Sequence, residues 1–213
     1  QAIRQNLDFL STPLQDVPAR HRSLRAVFDY SRNLLTAAEQ AALAQMAVFR
    51  ATFSRDAAQA VTNVALPQLA GLVNKSLLRT VAPGRYSMHE LVRQYALGEL
   101  AQAGEQPSVL DQHLAYYAAL ADAAREALYG PEQRVWLARL ELEHDNLRVA
   151  LEWAFVAQQG TSARVAQGLH LVAQMPRFWN NRGHLREGAL WLERGLALCA
   201  ACEAGVRADA LNL

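Results

Sequence analysis

The stretch that decides the fold is Ser76-Leu-Leu-Arg-Thr-Val81 followed by Arg85-Tyr-Ser-Met88, with Pro83-Gly84 between them. Upstream of it, apolar residues recur at helical spacing. Here the pattern changes to two short runs typical of strands, and the Pro-Gly pair is a turn signal, so the stretch predicts a β-hairpin. Another helix is predicted directly after it, from His89. Helices followed by such a hairpin are the order of elements in a winged helix.

Four short helices are predicted before the hairpin. The first covers residues 24–35, where apolar residues share one face. The second begins at Thr36-Ala-Ala-Glu39, a capping box in which the hydroxyl accepts from an unpaired backbone amide. Ser54 can cap a third helix over residues 55–61, and Pro67 suits the first turn of a fourth. Together with the hairpin, these helices predict one compact domain.

The second half of the chain is predicted to be helical throughout. Gly130-Pro131, Gly160 and Gly183 mark turns, and short connections favour antiparallel neighbours in a helical-repeat array. The predicted fold class is therefore mainly α: a winged helix with a small β-hairpin followed by a tetratricopeptide-like helical array. The predicted helices cover about 108–129, 131–158, 162–182 and 184–203. The predicted domains are 1–21, a linker or tail of a preceding helical domain; 22–104, the winged helix; and 105–213, the helical sensor domain.

Composition narrows the class of protein. Of 213 residues, 52% are hydrophobic and 19% are charged, which excludes a disordered chain, and the net charge of +1 gives no global case for nucleic acid or a membrane surface. No apolar run is long enough to span a membrane, and Arg4 interrupts any signal peptide. We interpret Cys199 and Cys202 as small buried helix residues rather than a metal or redox pair. A reducing cytoplasm fits this use of cysteine.

Part of the chain resembles a known family. Residues 23–35, 47–50, 72–78 and 86–96 resemble, in this order, the winged helix of the STAND signal-transduction ATPases, which include bacterial transcriptional regulators and the NB-ARC proteins. Met88-His89-Glu90 takes the place of that family's Met-His-Asp motif, and Glu90 departs from its aspartate. In the helical half, residues 178–198 resemble a tetratricopeptide repeat. Residues 143–154 resemble the helix that begins the repeat array in bacterial STAND regulators.

This resemblance implies a regulatory segment and no enzyme. The chain lacks a GxxxxGK[ST] phosphate loop, because Lys75 is its only lysine and no glycines precede it in that spacing. The nucleotide-binding domain of the longer protein is then expected upstream, with ADP or ATP and Mg²⁺ as its ligands. By resemblance, His89 contacts the β-phosphate of ADP in that protein. The plainer alternative is that His89 only caps the junction between hairpin and helix.

Two other functions stay open: a DNA-binding winged helix and a protein-interaction scaffold. Between Arg22 and Met88 there are eight Lys and Arg residues against three acids. A recognition helix should offer several polar or basic side chains to base edges, however. Residues 54–61 offer only Arg55, Asp56 and Gln59 among alanines, and residues 67–74 are largely apolar. We therefore expect direct nucleic-acid binding to be the weaker alternative and a cytoplasmic sensor arm of a STAND ATPase to be the stronger.

Aromatic residues in the helical half are candidates for partner binding. Neighbouring side chains along a helix point about 100° apart. The two rings of Tyr116-Tyr117 therefore lie on different faces of their helix, and so do the two rings of Phe178-Trp179. Tyr117 and Trp179 are the predicted contacts for an inducer, either a protein or a small molecule; no membrane partner is expected. Most of the four tryptophans are expected in the core. The four histidines of this half are judged too scattered for a metal site: His113, His144, His170 and His184.

Overall fold

A computed structural model describes residues 24–156 and 161–198, with side chains from Val27 onward. The predicted fold class is confirmed: the described chain is mainly helical, with one small antiparallel sheet and a helical array. The elements of the first half are α1 Leu24–Asn33, α2 Ala37–Met46, β1 Thr52–Ser54, α3 Arg55–Thr62, α4 Leu66–Asn74, β2 Arg79–Ala82, β3 Arg85–Ser87 and α5 Glu90–Gln102. Those of the second half are α6 Gln106–Ala127, α7 Gln133–Leu142, α8 His144–Phe155, α9 Ser162–Ala173, α10 Pro176–Asn181 and α11 Leu185–Leu198.

The chain divides into two compact units. The first, here the winged-helix unit, holds the described residues as far as Val48 together with Thr52–Val109. The second, here the helical unit, holds Phe49–Ala51 and the described residues from Leu110. The predicted domain limits stay predictions. The predicted linker 1–21 and the cysteines Cys199 and Cys202 lie outside the described residues.

The winged-helix unit contains the predicted hairpin and one strand more. β3 pairs with both β2 and β1, so the strand order is β1-β3-β2, with Phe53 opposite Tyr86. β1 escaped prediction because three residues are too few for a periodic pattern. Gly84 has a φ of +69° in the turn, a conformation that glycine adopts without strain. The hairpin therefore forms where its Pro-Gly pair predicts.

Capping side chains fix where these helices begin. Thr36 accepts from Glu39 N while the Glu39 carboxylate accepts from Thr36 N, completing the predicted capping box. Ser54 accepts from Ala57 N at the start of α3. α2 then packs against α3, α4 and α5. The buried core of this unit includes Met46, Phe53, Leu69, Leu72, Leu78 and Leu100.

The helical unit has more breaks than its sequence predicts. The predicted helix 131–158 is two helices, α7 and α8, which meet at Glu143. The predicted helix 162–182 is also two, because Pro176 has no amide to continue α9 and instead opens α10. α9 packs against α8 and α11, and α11 packs against α10. At Gly188 a Cβ would lie 2.7 Å from Trp179 Cγ, so glycine permits this close approach.

No helix within residues 24–156 and 161–198 combines the length and the apolar character that a membrane span requires. The predicted cytoplasmic location stays a prediction.

Candidate functional site

His89 stands at the junction of hairpin and helix. It is exposed, and its Nδ1 accepts from Leu91 N at 3.3 Å, which makes it the N-cap of α5. When Nδ1 accepts, Nε2 carries the ring proton. That Nε2 has no hydrogen-bond partner within the described chain. His89 therefore caps α5, and its Nε2–H remains as a donor at the N-terminus of that helix.

Glu90, the residue that departs from the family motif, is engaged locally. Its two carboxylate oxygens accept from Arg93 Nε and Nη2, both at 2.8 Å. Gln94 Nε2 also donates to Glu90 at 2.9 Å. Arg93 in turn reaches the backbone oxygen of Ala47 at 3.4 Å, which ties α5 to the end of α2. Glu90 therefore orients an arginine within the winged-helix unit.

The surface beside the hairpin offers two exposed cations. Arg55 has its side chain 54% exposed, with its Nε 3.7 Å from Asp56 Oδ1, and its backbone amide donates to Gly84 O at the turn. Arg79 is exposed on β2. Lys75 is paired more closely, because its ammonium lies 2.7 Å from a carboxylate oxygen of Glu39. The face of α4 itself exposes little that could read bases: Leu66, Pro67, Ala70 and Asn74.

Tyr117, a predicted partner contact, is fully buried. Its exposed fraction is 0%, and its hydroxyl donates to Glu143 Oε2 at 2.7 Å. The prediction is wrong for this residue, because α6 turns Tyr117 toward the buried start of α8. Its neighbour Tyr116 is the partly exposed member of the pair. Glu143 also accepts from Asn146 Nδ2 at 3.0 Å, so the hydroxyl belongs to a buried hydrogen-bonded group.

Trp179, the other predicted contact, is 3% exposed, and its Nε1 donates to Val172 O at 3.1 Å. It nevertheless lies along a groove of about 410 Å³. Trp179 alone of the four tryptophans is buried, whereas the sequence places most of them in the core. The groove is lined mainly by apolar side chains and carries one cation: Tyr129, Pro176, Trp179, Leu185, Ala189 and Leu192, with Arg177.

The two stretches of the helical half that resemble known patterns, 143–154 and 178–198, meet in a polar cluster. The junction cluster comprises Glu141, His144, Arg148, His184 and Glu187. Arg148 Nε and Nη2 donate to the two oxygens of Glu187, both at 2.7 Å. These hydrogen bonds from Arg148 lower the pKa of Glu187 to about 2, against the opposing effect of burial. Glu187 is therefore a carboxylate near neutral pH.

Two histidines lie face to face in the junction cluster. The His144 and His184 ring centroids are 4.0 Å apart, and His184 Nε2 lies 3.3 Å from both oxygens of Glu141. Burial, together with the charge of Arg148, lowers the pKa of His144. The prediction that these histidines are scattered is wrong, because α7, α8 and the start of α11 bring positions forty residues apart together. A partial signal existed: His144 and Arg148 are four apart and share a helix face.

His113 occupies a different setting. It is 0% exposed, with its ring 5.3 Å from Phe49 and 4.6 Å from Tyr117 between centroids. Neither ring nitrogen has a hydrogen-bond partner among the residues that the structure describes. Burial lowers the pKa of His113 to about 3, so the ring is neutral at physiological pH. It behaves as a packing residue.

Among known proteins, this chain is similar to parts of several regulators. It is 36% identical over 186 residues to proteins of Mycobacterium bovis and Mycobacterium tuberculosis named as HTH-type transcriptional regulators, covering 81% of this chain and 20% of each relative. It is 37% identical over 115 residues to the regulatory protein AfsR of Streptomyces griseus, covering 49% of this chain and 12% of that protein. The chain thus spans about a fifth of the mycobacterial relatives. No family model and no solved structure matches it.

These matches correct one prediction. The expectation that direct nucleic-acid binding is the weaker alternative is overturned, because the relatives are named as HTH-type transcriptional regulators. Their names also describe regulators rather than enzymes. The finer assignment to STAND ATPases has no support of this kind. The chain is similar to a segment of mycobacterial proteins that are named as HTH-type transcriptional regulators.

Proposed function

We propose that this chain is a segment of a bacterial transcriptional regulator and that its winged-helix unit contacts DNA. The 36% identity to HTH-type transcriptional regulators over 186 residues carries the proposal. The strand order β1-β3-β2 and the preceding helices supply a scaffold that suits it. Because the segment is about a fifth of those relatives, other parts of the longer protein share in its activity.

The mode of contact follows from the exposed side chains. α4 presents mainly apolar residues, so the unit has little with which to read base edges. Arg79 is exposed on β2 as a cation that can pair with a backbone phosphate. Arg55 lies beside the hairpin and can do so by exchanging its 3.7 Å contact with Asp56. Phosphate contacts position a protein on DNA and make binding salt-dependent without carrying sequence information. The expected contribution is sequence-tolerant and weak.

The test is a salt titration. Binding of the full chain to a labelled 30-base-pair duplex is followed by fluorescence anisotropy at several salt concentrations. Replacing Arg79 with Gln should weaken binding at every salt concentration and reduce the slope of log K against log salt by about 1. The control is Arg134→Gln, which removes an exposed arginine from the helical unit. Unchanged binding in Arg79→Gln, or equal loss in both variants, would contradict the proposal.

A second candidate function, a nucleotide-linked switch, is favoured by His89. The resemblance to STAND ATPases predicts that this residue contacts ADP. The exposed Nε2–H at the N-terminus of α5 is compatible with an anion, since a helix N-terminus favours negative charge. On this view an upstream nucleotide-binding domain of the longer protein holds ADP or ATP with Mg²⁺, and the helical unit receives the inducer.

An inducer would act by differential binding. It shifts a closed and an open state only if it binds the open state better, and a tenfold preference supplies about 1.4 kcal/mol. The groove beside Trp179 is the apolar concavity in which such a molecule can bury surface. Coupling of inducer binding to the change of state therefore needs no catalytic residue in this segment.

The nucleotide function is tested in the longer protein with His89→Asn. Asparagine is a good N-cap, so the variant keeps the start of α5 while removing the Nε2–H. ADP should bind more weakly and basal activity should rise. His170→Asn, in the helical unit, serves as the control. Unchanged ADP affinity in His89→Asn would defeat the assignment.

A further inference from the structure

We propose that Glu141, His144 and His184 form a binding site for one Zn²⁺ ion. One potential ligand atom from each residue lies within 4.8 Å of those from the other two. They come from the end of α7, the start of α8 and the residue before α11, so three separate segments converge on one point. The site lies wholly within the helical unit.

The donor set suits zinc. Two imidazole nitrogens and one carboxylate oxygen, with the fourth position left to water, are a common set for this ion. Ligands held at about 2.0–2.1 Å in a tetrahedron are roughly 3.3 Å from one another. His184 Nε2 already lies 3.3 Å from the oxygens of Glu141. The other separations are at most 4.8 Å, so they need to close by at most about 1.5 Å, through small rotations of the Glu141 and His184 side chains.

A buried nitrogen without a hydrogen bond supplies the independent reason. His144 is 6% exposed, and its Nε2 makes no hydrogen bond. It lies 3.3 Å from Glu187 Oε2, which is an ion pair only when the ring is protonated. A buried polar atom left unsatisfied is unfavourable, and native proteins rarely keep one without a reason. A simple pair between His184 and Glu141 leaves this nitrogen unsatisfied, whereas a shared metal ion satisfies it.

The surrounding charges and rings favour a bound cation. Glu141, Asp145 and Glu187 oppose two arginines: Arg148, and Arg182 with its Nε 3.8 Å from Glu141. The charge around the site is therefore net negative. Phe178 and Trp179 pack edge-on against the His144 ring at 5.5 and 6.0 Å between centroids, which fixes its orientation. A ligand held in place in this way loses little freedom when the ion binds.

The test uses the full chain with Cys199 and Cys202 replaced by serine, because thiolates also bind zinc. After treatment with a chelator, Zn²⁺ binding is measured by competition with a chromophoric chelator, and bound metal is counted per chain. Co²⁺ is the second probe, since visible bands without a thiolate charge-transfer band identify nitrogen and oxygen ligands. One ion per chain with such a spectrum is expected.

The exposed Glu141 and the partly exposed His184 are then changed while the buried His144 is left in place. His184→Gln and Glu141→Gln should each weaken Zn²⁺ binding by at least about tenfold. The matched control is His170→Gln, because His170 pairs with Asp122 at 2.6 Å elsewhere in the unit. Circular dichroism checks that each variant folds. Absence of stoichiometric binding, or equal losses in His170→Gln and the two ligand variants, would overturn the proposal.

Discussion

Two histidines of the helical unit, His113 and His144, are buried in different surroundings, one aromatic and one polar. His113 lies among aromatic rings, and within the described residues neither of its ring nitrogens makes a hydrogen bond. His144 lies against a second histidine, with an arginine and two glutamates nearby. Both have a lowered pKa, and for both the first cause is burial. The comparison shows that a shifted pKa does not by itself identify a functional residue; the charged and ligating groups around it do.

The largest expected effect concerns His113 and pH. Its pKa is about 3 in the folded chain and about 6.5 when unfolded. Below pH 6.5, His113 therefore binds a proton in the unfolded chain but not in the folded chain, so the free energy of unfolding falls as the pH falls. Between pH 7.5 and pH 5, this one residue should lower the free energy of unfolding by about 2 kcal/mol. Urea denaturation at the two pH values measures it.

His113→Leu is the control for this prediction. Leucine keeps an apolar side chain of similar size in the pocket and cannot titrate, so the variant should lose that share of the pH dependence. The lowered pKa of His144 acts in the same direction, and its contribution remains in the variant. A variant with the same pH dependence as the parent chain would show that His113 does not titrate as its burial requires.

The next largest effect concerns the ion pair between Arg148 and Glu187, which the described surroundings of His113 lack. Arg148→Ala removes two hydrogen bonds of 2.7 Å and leaves the carboxylate of Glu187 without its main partner. The side chains are 39% and 23% exposed, so water screens part of the loss. We expect the free energy of unfolding to fall by about 1.5 kcal/mol at pH 7. Arg125→Ala, at an exposed position of α6, should change it far less.

A double-mutant cycle isolates the pair. Arg148→Ala, Glu187→Gln and the double variant should give a coupling of about 1 kcal/mol near neutral pH. Because the pKa of Glu187 is lowered to about 2, the carboxylate contributes stability that is present above its unfolded pKa and is lost as the pH falls toward 2. The coupling should shrink in that range. Additive effects at pH 7 would mean that Arg148 acts through packing alone.

Sequence patterns predicted the winged-helix unit well because its signals are local. The capping box at Thr36, the cap at Ser54 and the turn at Gly84 each act over a few residues, and all three are present. β1 was missed because three residues carry no readable period. The strand exists through its pairing with β3, more than thirty positions away.

The helical unit was harder because its important contacts are distant in sequence. Its helical character was predictable, but the junction cluster depends on the break at Glu143 and on how α8 packs against α11. Tyr117 was misjudged for the same reason: the 100° rule separates two rings without telling which one faces the core. Packing between helices decides this, and no spacing within one helix contains that information.

The smallest effect concerns His89, the exposed counterpart of the two buried rings. His89→Ala removes the acceptor for Leu91 N, so the winged-helix unit should lose about 1 kcal/mol of stability. His89→Asn should lose at most a few tenths, because asparagine replaces the cap. Urea denaturation of both variants measures the difference. If Asn and Ala are equally destabilising, the imidazole does more than cap α5; if neither destabilises, the cap contributes nothing, and the exposed ring is free for a partner.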